Sequence, residues 1–279
     1  MTATYKAYAI RYGSARDRLS EQNFMFPPVR GAKMPLDYYF WVLQGDGRNI
    51  LVDAAFTPEC GLRRGRPLDV DLVEVLAGAG LTPADFSDVI ITHLHFDHTG
   101  FLGRFPHARV HLQRNELTAA VHAIADHPTL RWTYEPADIQ ALLVASFEGR
   151  VRFYDGDTDL FPGIRIHLLP GHSPGQAAIA VETQRGKIML AVDVAHFYAN
   201  LLLEQPFIVT DSFRDTLSSY RRLRELQPDI NRIIVGHDPK VRVLYPPEMM
   251  GGTAWHPLHL PPVAYEDGWL TRLDDYACD

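Results

Sequence analysis

The stretch Thr92-His93-Leu94-His95-Phe96-Asp97-His98-Thr99-Gly100 decides how this chain folds. It directly follows Val89-Ile90-Ile91, a continuous β-branched run that predicts a buried strand. Residues two apart at the end of an extended strand face the same way, so the first two histidines can share one ion. The chain must then turn, and the aspartate and third histidine would point from the next helix towards a neighbouring position. Imidazole and carboxylate ligands suit Zn(II), with Fe(II), Mn(II), Co(II) and Ni(II) chemically allowed.

Three polar residues further along the chain occupy similar places. His172 lies in a loop after a predicted strand, Asp193 follows the apolar run 188–192, and His237 follows 233–236. Sandwich and α/β folds gather their sites from such strand ends, which lie far apart in sequence. Each residue alone is weak evidence, but together with the first cluster they indicate metal ligands.

Composition and charge exclude several functional classes. The chain has 279 residues, 46% hydrophobic and 22% charged, close to the average for a soluble globular enzyme. Its formal charge of -7 leaves no basic footprint for nucleic acid or an anionic membrane. No run approaches the roughly 18 apolar residues of a membrane span, and a cytoplasmic location is expected. The two cysteines, Cys60 and Cys278, are expected as free thiols, whereas 13 histidines are an unusual excess.

Short apolar strands alternate with turns and amphipathic helical stretches along the chain. Asp46-Gly47, between the apolar runs 40–43 and 50–52, predicts a hairpin. Further strands are predicted at 89–91, 151–154, 164–169, 177–181, 187–192 and 232–235, and helices at 69–76, 116–124, 137–147 and from Asp211 or Ser212 to about Leu226. The Pro- and Gly-rich segment 246–262 is expected to be an ordered surface wrap. We predict one domain, residues 1–279, with two packed β-sheets and helices outside, an αββα sandwich.

The ordered pattern His93-x-His95-x-Asp97-His98, followed by the three later residues, resembles the metallo-β-lactamase superfamily. The resemblance covers almost the whole chain and implies an αββα fold with two mixed β-sheets flanked by helices. It also implies two divalent metal ions, with Zn(II) expected. Carried over by position, His93, His95 and His172 would hold the first metal, Asp97, His98 and His237 the second, and Asp193 would bridge them. Asp53 matches an acidic residue beneath the site that would orient a ligand.

The implied chemistry is hydrolysis. Two close divalent ions that share a water yield hydroxide near neutral pH and polarise a carbonyl oxygen. Asp97 is expected to accept the proton of the nucleophile and deliver it to the leaving group. No Ser or Cys nucleophile is needed, and no Gly-x-Ser-x-Gly elbow occurs in the sequence.

Within the superfamily, the lactonase branch fits better than the thioesterases. The segments 8–13, 34–39, 105–108, 113–116 and 236–239 resemble the quorum-quenching N-acyl-homoserine lactonases. We therefore predict a dinuclear metal-dependent hydrolase that opens a lactone ring by attack of a metal-bridging hydroxide. The alternative is a glyoxalase II-like thioesterase or another ester or amide hydrolase on the same site, although glyoxalase II usually has a basic helical C-terminal domain. A non-enzymatic metal-binding protein is disfavoured by the complete ligand set. The expected partner is a small-molecule lactone or ester, with a homodimer allowed and no nucleic acid or membrane.

One departure from the lactonase pattern concerns the substrate. Acyl-homoserine lactonases place a tyrosine three residues after the bridging aspartate, whereas this chain has His196 there, with Tyr198 two residues further on. Either side chain is a candidate to contact the substrate. The related 4-pyridoxolactonases are also similar and imply a substrate that is not an acyl-homoserine lactone. Aromatic candidates for substrate walls are Phe24, Phe26, Trp132, Tyr134, Phe197, Tyr198 and Phe207. Surface or packing roles are expected for His107, His111, His122, His127, His167, His256 and His259.

Overall fold

The computed structural model describes residues 3–66 and 68–273. Cys60 is a buried free thiol, as expected, and Cys278 lies outside the described residues. Among the helices that are described, none is both long and apolar enough to cross a bilayer.

The bounds of the described strands and helices are as follows. The strands are β1 (Lys6–Ala15), β2 (Leu36–Gly45), β3 (Arg48–Val52), β4 (Asp88–Ile90), β5 (Arg109–Gln113), β6 (Val151–Tyr154), β7 (Thr158–Phe161), β8 (Ile164–Leu168), β9 (Ala177–Thr183), β10 (Gly186–Val192), β11 (Ile233–Val235), β12 (Glu248–Met250) and β13 (Thr253–Pro257). The helices are α1 (Pro58–Arg63), α2 (Leu72–Gly78), α3 (Phe96–Thr99), α4 (Arg114–Asp126), α5 (Pro128–Arg131), α6 (Pro136–Phe147), α7 (Tyr198–Leu202), α8 (Phe213–Leu226) and α9 (Lys240–Leu244).

Two mixed sheets form the centre of the fold. The larger has the order β12-β13-β1-β2-β3-β4-β5-β6, antiparallel up to β3 and parallel from β3 to β6. The smaller has the order β11-β10-β9-β8-β7, with only the β10–β11 pair parallel. With the flanking helices, this arrangement confirms the predicted αββα sandwich.

Strand β2 shows why the fold has two cores. Its alternate residues point to opposite faces of the sheet. Phe40 and Val42 pack with the helices outside the large sheet, while Trp41 and Leu43 pack between the two sheets. Because both faces of β2 are covered, the strand is apolar along most of its length.

Local signals in the sequence are confirmed at several element ends. The β2–β3 hairpin turns through Asp46 and Gly47, which both have positive φ, as expected for an Asp-Gly turn. Ser212, one of the two predicted caps, accepts a hydrogen bond from the Asp215 amide and begins α8.

The prediction of a surface wrap at 246–262 is wrong. This segment contains β12 and β13, and β13 pairs with β1 to extend the large sheet. Trp255 is buried and packs edge-on against Tyr8, with ring centroids 5.6 Å apart. The Pro and Gly residues therefore mark turns around two short strands.

Candidate metal centre

The predicted ligands meet where strands of both sheets end. The loop after β4 and the short helix α3 contribute the four candidate ligands of the opening stretch, His93, His95, Asp97 and His98. The β8–β9 loop contributes His172, the end of β10 contributes Asp193, and the end of β11 contributes His237. The fold thus brings together all seven residues singled out in the sequence.

Asp193 lies at the centre of this cluster. Its Oδ1 is 3.0 Å from Nε2 of His237. Its Oδ2 faces four other imidazole Nε2 atoms: those of His196 at 3.0 Å, His172 at 3.3 Å, His98 at 3.6 Å and His93 at 3.8 Å. A carboxylate in this position can contact ions on either side of it.

The surrounding residues form overlapping groups whose ligand atoms lie within 4.8 Å of one another. Two of these groups coincide with the two expected trios, His93, His95 and His172 on one side and Asp97, His98 and His237 on the other. The other two groups both include Asp193, once with His93 and His98 and once with His172 and His196.

Unsatisfied ring nitrogens indicate that the cluster fits cations. Nε2 of His93 and Nε2 of His98 are buried without a hydrogen-bond partner among the described residues. Nδ1 of His95 lies 2.8 Å from Nε2 of His172. Buried polar atoms in proteins are rarely left unpaired, and this nitrogen and oxygen donor set suits Zn(II) and similar divalent ions.

Hydrogen bonds on the far side of the rings orient the histidines. Nδ1 of His172 donates to the Val209 carbonyl at 2.8 Å, and Nδ1 of His237 donates to the Asp37 carbonyl at 2.7 Å. Each bond leaves Nε2 with its lone pair directed into the cluster.

Asp53 lies beneath the site, in contact with His98. Its Oδ2 is 2.7 Å from Nδ1 of His98, and the amide and hydroxyl of Thr92 each donate to its carboxylate at 2.8 Å. Its backbone has φ +58°, a conformation that is uncommon outside glycine. This geometry agrees with the orienting role that the resemblance implies.

Comparison with known proteins decides the family. The model of the metallo-beta-lactamase superfamily matches residues 35–237, a span that includes the whole cluster. The chain belongs to the metallo-beta-lactamase superfamily.

Similar curated proteins are N-acyl homoserine lactonases. The enzyme AiiA of Bacillus thuringiensis subsp. kurstaki is 34% identical over 169 residues, which are 60% of this chain and 62% of the relative. AttM of Azorhizobium caulinodans is 30% identical over 186 residues, covering 61% of this chain and 65% of the relative. The matched part thus spans less than two thirds of these relatives.

Solved structures of the superfamily match over a larger share. A quorum-quenching N-acyl homoserine lactone lactonase has a TM-score of 0.72 and 28% identity, covering 86% of this chain and 94% of its own. A second structure, of an N-acyl homoserine lactone hydrolase with the product N-hexanoyl-L-homoserine at its catalytic metal centre, has a TM-score of 0.71 and 28% identity. It covers 86% of this chain and 95% of its own.

Burial and neighbouring charges shift the pKa values of several residues in the cluster. Burial lowers the pKa of His93 and His95 well below the ordinary value, which keeps these imidazoles neutral and able to bind metal. Burial of Asp193 favours its protonation, but His237, His196 and His98 outweigh this and hold its pKa well below the usual range. The carboxylate therefore remains ionised.

Glu116 on α4 is a residue that the sequence interpretation missed. It is fully buried and accepts three hydrogen bonds, from the Leu94 amide at 2.9 Å, the Gly175 amide at 2.6 Å and the Ser173 hydroxyl at 2.7 Å. The Leu94 amide belongs to the loop that carries His93 and His95. The Ser173 and Gly175 donors belong to the loop that carries His172. The available sequence signal was an acidic residue in the first turn of α4, within the lactonase-like segment 113–116.

Gly236 allows Asp193 to reach the centre of the cluster. A Cβ at this position would lie 2.6 Å from Oδ1 of Asp193 and 2.7 Å from the Val192 backbone. Only glycine leaves room for the carboxylate at the ends of the paired strands β10 and β11.

His196 and Tyr198 have different surroundings. Nε2 of His196 lies 3.0 Å from Asp193, and its ring stacks on Phe207 with centroids 3.7 Å apart. The prediction that Tyr198 can reach the substrate is wrong. Its hydroxyl donates to the Ile233 carbonyl at 3.0 Å and its ring is buried in the core between the sheets. Tyr198 is the first residue of α7, where the chain turns this side chain away from the cluster.

A cavity of about 60 Å³ opens over the cluster and adjoins a groove of about 740 Å³. Of the proposed substrate walls, Phe207 lines the cavity, Tyr134 lines the groove and Trp132 lines both. Phe24 and Phe197 are instead buried in the core outside the large sheet, and Phe26 is 62% exposed on the surface.

The remaining histidines lie outside the ligand groups found among the described residues. His111 and His167 are buried and pair with Asp88 and Asp157, each at 2.8 Å. The other five are His256 and His259, which are buried and contact backbone groups, His107, which is exposed, and His122 and His127, which are exposed and line the groove.

Proposed function

We propose that this chain is a dinuclear metal-dependent hydrolase that opens a lactone ring. The observation that carries the proposal is the position of the Asp193 carboxylate. Its oxygens face the imidazoles of five histidines, which include members of both candidate ligand trios. The similar proteins are named N-acyl homoserine lactonases, and we take lactone hydrolysis as the reaction class from them.

The ligand roles follow the geometry of the groups. His93, His95 and His172 would hold one ion, Asp97, His98 and His237 the other, and Asp193 would contact both, with Zn(II) as the expected metal. Two divalent ions bound there would supply a nucleophile near neutral pH and a Lewis acid for the substrate carbonyl.

Asp97 is the residue that we expect to carry the proton. It lines the cavity, and its Oδ2 is 3.7 Å from Nε2 of His98 and 3.8 Å from Nε2 of His237. Tyr12 donates to its main-chain carbonyl at 2.7 Å and so fixes the backbone. The Asp97 carboxylate would accept a proton and transfer it to the alkoxide released by ring opening.

His196 is the remaining candidate to contact the substrate. It lines the cavity beside Asp193, where its ring is held by stacking on Phe207. From there an imidazole N–H can donate to the substrate carbonyl. The thioesterase alternative is not favoured by the similar proteins.

We also infer that residues 1–279 act as one domain, because ligands from both sheets build one cluster. The homodimer that the sequence allows and the cytoplasmic location that it predicts are not tested by the structure and stay predictions.

A panel assay tests the proposal. Metal-replete protein is given acyl-homoserine lactones, aromatic lactones and a glutathione thioester, and acid release is followed with a pH indicator. We expect turnover of at least one lactone class and weaker or no turnover of the thioester. Preferential thioester hydrolysis, or no hydrolysis of any lactone, would contradict the proposal. Asp193→Asn serves as the inactive control.

A further inference from the structure

Two arginines line the metal cavity together with Asp97 and His196. They are Arg18, from the segment after β1, and Arg66, from the segment after α1. Both are partly buried, and neither is a metal ligand candidate or part of the proton path above.

Each guanidinium rests on an aromatic ring that itself packs against a histidine of the cluster. Arg18 lies over Phe207 at 5.5 Å from the ring centroid, and Phe207 stacks on His196. Arg66 lies 5.9 Å from the ring centroid of Tyr38 and donates to its hydroxyl, and Tyr38 meets His237 edge-on at 5.5 Å. A single aromatic ring therefore separates each guanidinium from a histidine of the cluster.

Neither arginine has a carboxylate partner within 4.0 Å in the described part of the chain. Arg18 donates to the Asn23 side chain at 2.6 Å and to the Gln22 carbonyl, and Arg66 donates to Tyr38. Neighbouring arginines differ in this respect, since Arg16 pairs with Asp69 at 3.4 Å and Arg64 pairs with Glu135 at 2.7 Å.

Two partly buried guanidinium groups without a carboxylate partner are unfavourable for folding stability unless an anion binds them. Removing a charge from water without a counter-charge is unfavourable, and each guanidinium retains N–H donors suited to a planar carboxylate. Burial lowers the pKa of Arg18 to about 10, so it remains a cation at neutral pH.

We propose that the substrate of this site carries a carboxylate, which Arg18 and Arg66 bind while the lactone ring lies over the metal centre. This inference rests on the proposed function and narrows its substrate class to anionic lactones. The adjoining groove would take the rest of the molecule, because the two share Trp132, Val209 and His172. The formal charge of the chain is -7, so this cationic pair is a local feature.

A matched pair of probes tests the inference. Phthalide-5-carboxylate and its neutral carboxamide share one lactone ring and differ in charge. We expect kcat/KM to be about tenfold or more higher for the carboxylate, in line with charge-assisted hydrogen bonds. Arg18→Gln and Arg66→Gln should each reduce this preference several-fold, chiefly by raising KM for the carboxylate. The loss for the carboxamide should be smaller, and it reports the contacts of the two arginines with Phe207 and Tyr38. Arg66→Lys should retain part of the preference, and Arg16→Gln, which removes an equal charge outside the cavity, should retain all of it.

A binding measurement separates this inference from the proposed function. The corresponding lactam carboxylate, a cyclic amide of the same shape, is titrated calorimetrically into metal-replete protein and into each arginine variant. If neither lactone is hydrolysed but the lactam binds in an arginine-dependent way, the proposed reaction fails and the carboxylate site stands. If both lactones are hydrolysed equally well, the inference fails and the reaction stands. Equal loss of activity on both probes in the arginine variants, with unchanged lactam affinity, would also overturn it, since the arginines would then act on the newly formed product carboxylate.

Discussion

At the scale of single residues, Asp193 is the side chain on which the proposed metal centre depends most. Its two oxygens face five imidazoles, which include members of both candidate ligand trios. An asparagine at this position has the same shape but loses the charge and one acceptor oxygen.

We predict that Asp193→Asn loses at least one of two bound ions per chain. The catalytic efficiency should fall by more than about 100-fold, as expected when a metal ligand is removed. Elemental analysis of the purified variant, beside Asp155→Asn as an exposed control, measures the effect. An unchanged metal content in Asp193→Asn would refute the bridging role.

Tyr198 and His196 give opposite predictions, although they are two residues apart. Tyr198→Phe removes the hydrogen bond to Ile233, so it should cost about 1 kcal/mol of stability and leave kcat/KM unchanged. His196→Ala should lower kcat/KM by about tenfold or more because a cavity group is lost. Thermal unfolding and steady-state kinetics of both variants test this. A kinetic defect in Tyr198→Phe would contradict the position of its ring.

At the scale of elements, the sequence predicted those parts of the fold whose signals are local. The Asp46-Gly47 turn, the Ser212 cap and the β-branched run 89–91 each contain their own physical cause. β1 was not predicted, because its three alanines and Gly13 weaken the strand signal of Tyr8, Ile10 and Tyr12, and because both of its faces are buried. β12 and β13 were not predicted, because both strands are short and the Pro and Gly residues around them are typical of loops.

Helix α4 acts on the site from outside it, through Glu116. Glu116→Gln keeps the shape, but its amide nitrogen cannot accept the hydrogen bonds of a carboxylate oxygen. We expect metal affinity to fall by about tenfold or more, with a loss of stability of about 1–3 kcal/mol. Chelator competition and thermal unfolding measure the two quantities.

Ser173→Ala is the matched control for Glu116→Gln, because it removes only one of the three donors. It should therefore have a smaller effect on metal affinity. If Glu116→Gln lowers stability but leaves metal affinity unchanged, α4 supports the fold without positioning the ligand loops.

At the scale of the whole molecule, the metal centre joins the two sheets. The candidate ligands come from the large sheet through the segment after β4 and from the small sheet through the ends of β8, β10 and β11. The regular order of these ligands in the sequence made the cluster predictable. Arg18 and Arg66 were not, because their relation to Phe207 and Tyr38 exists only after the chain has folded.

Removal of metal should destabilise the whole molecule. With metal at about 100 times its dissociation constant, binding to the folded state adds ~2.7 kcal/mol, which corresponds to about 5 °C or more in Tm. Unfolding scans with and without a chelator measure the difference, and the difference should shrink in Asp193→Asn. Equal Tm values for wild-type protein with and without chelator would mean that the sheets hold together independently of the ions.

The position of Trp132 gives the protein an optical reporter of its own. This indole is 46% exposed and lines both the cavity and the groove, whereas Trp41 and Trp255 are buried in the cores. A ligand that enters from solvent is expected to change the surroundings of Trp132, whereas Trp41, Trp255 and Trp269 line neither the cavity nor the groove. Occupancy of the site can therefore be followed by intrinsic fluorescence without a label, in a signal that Trp132→Phe should abolish.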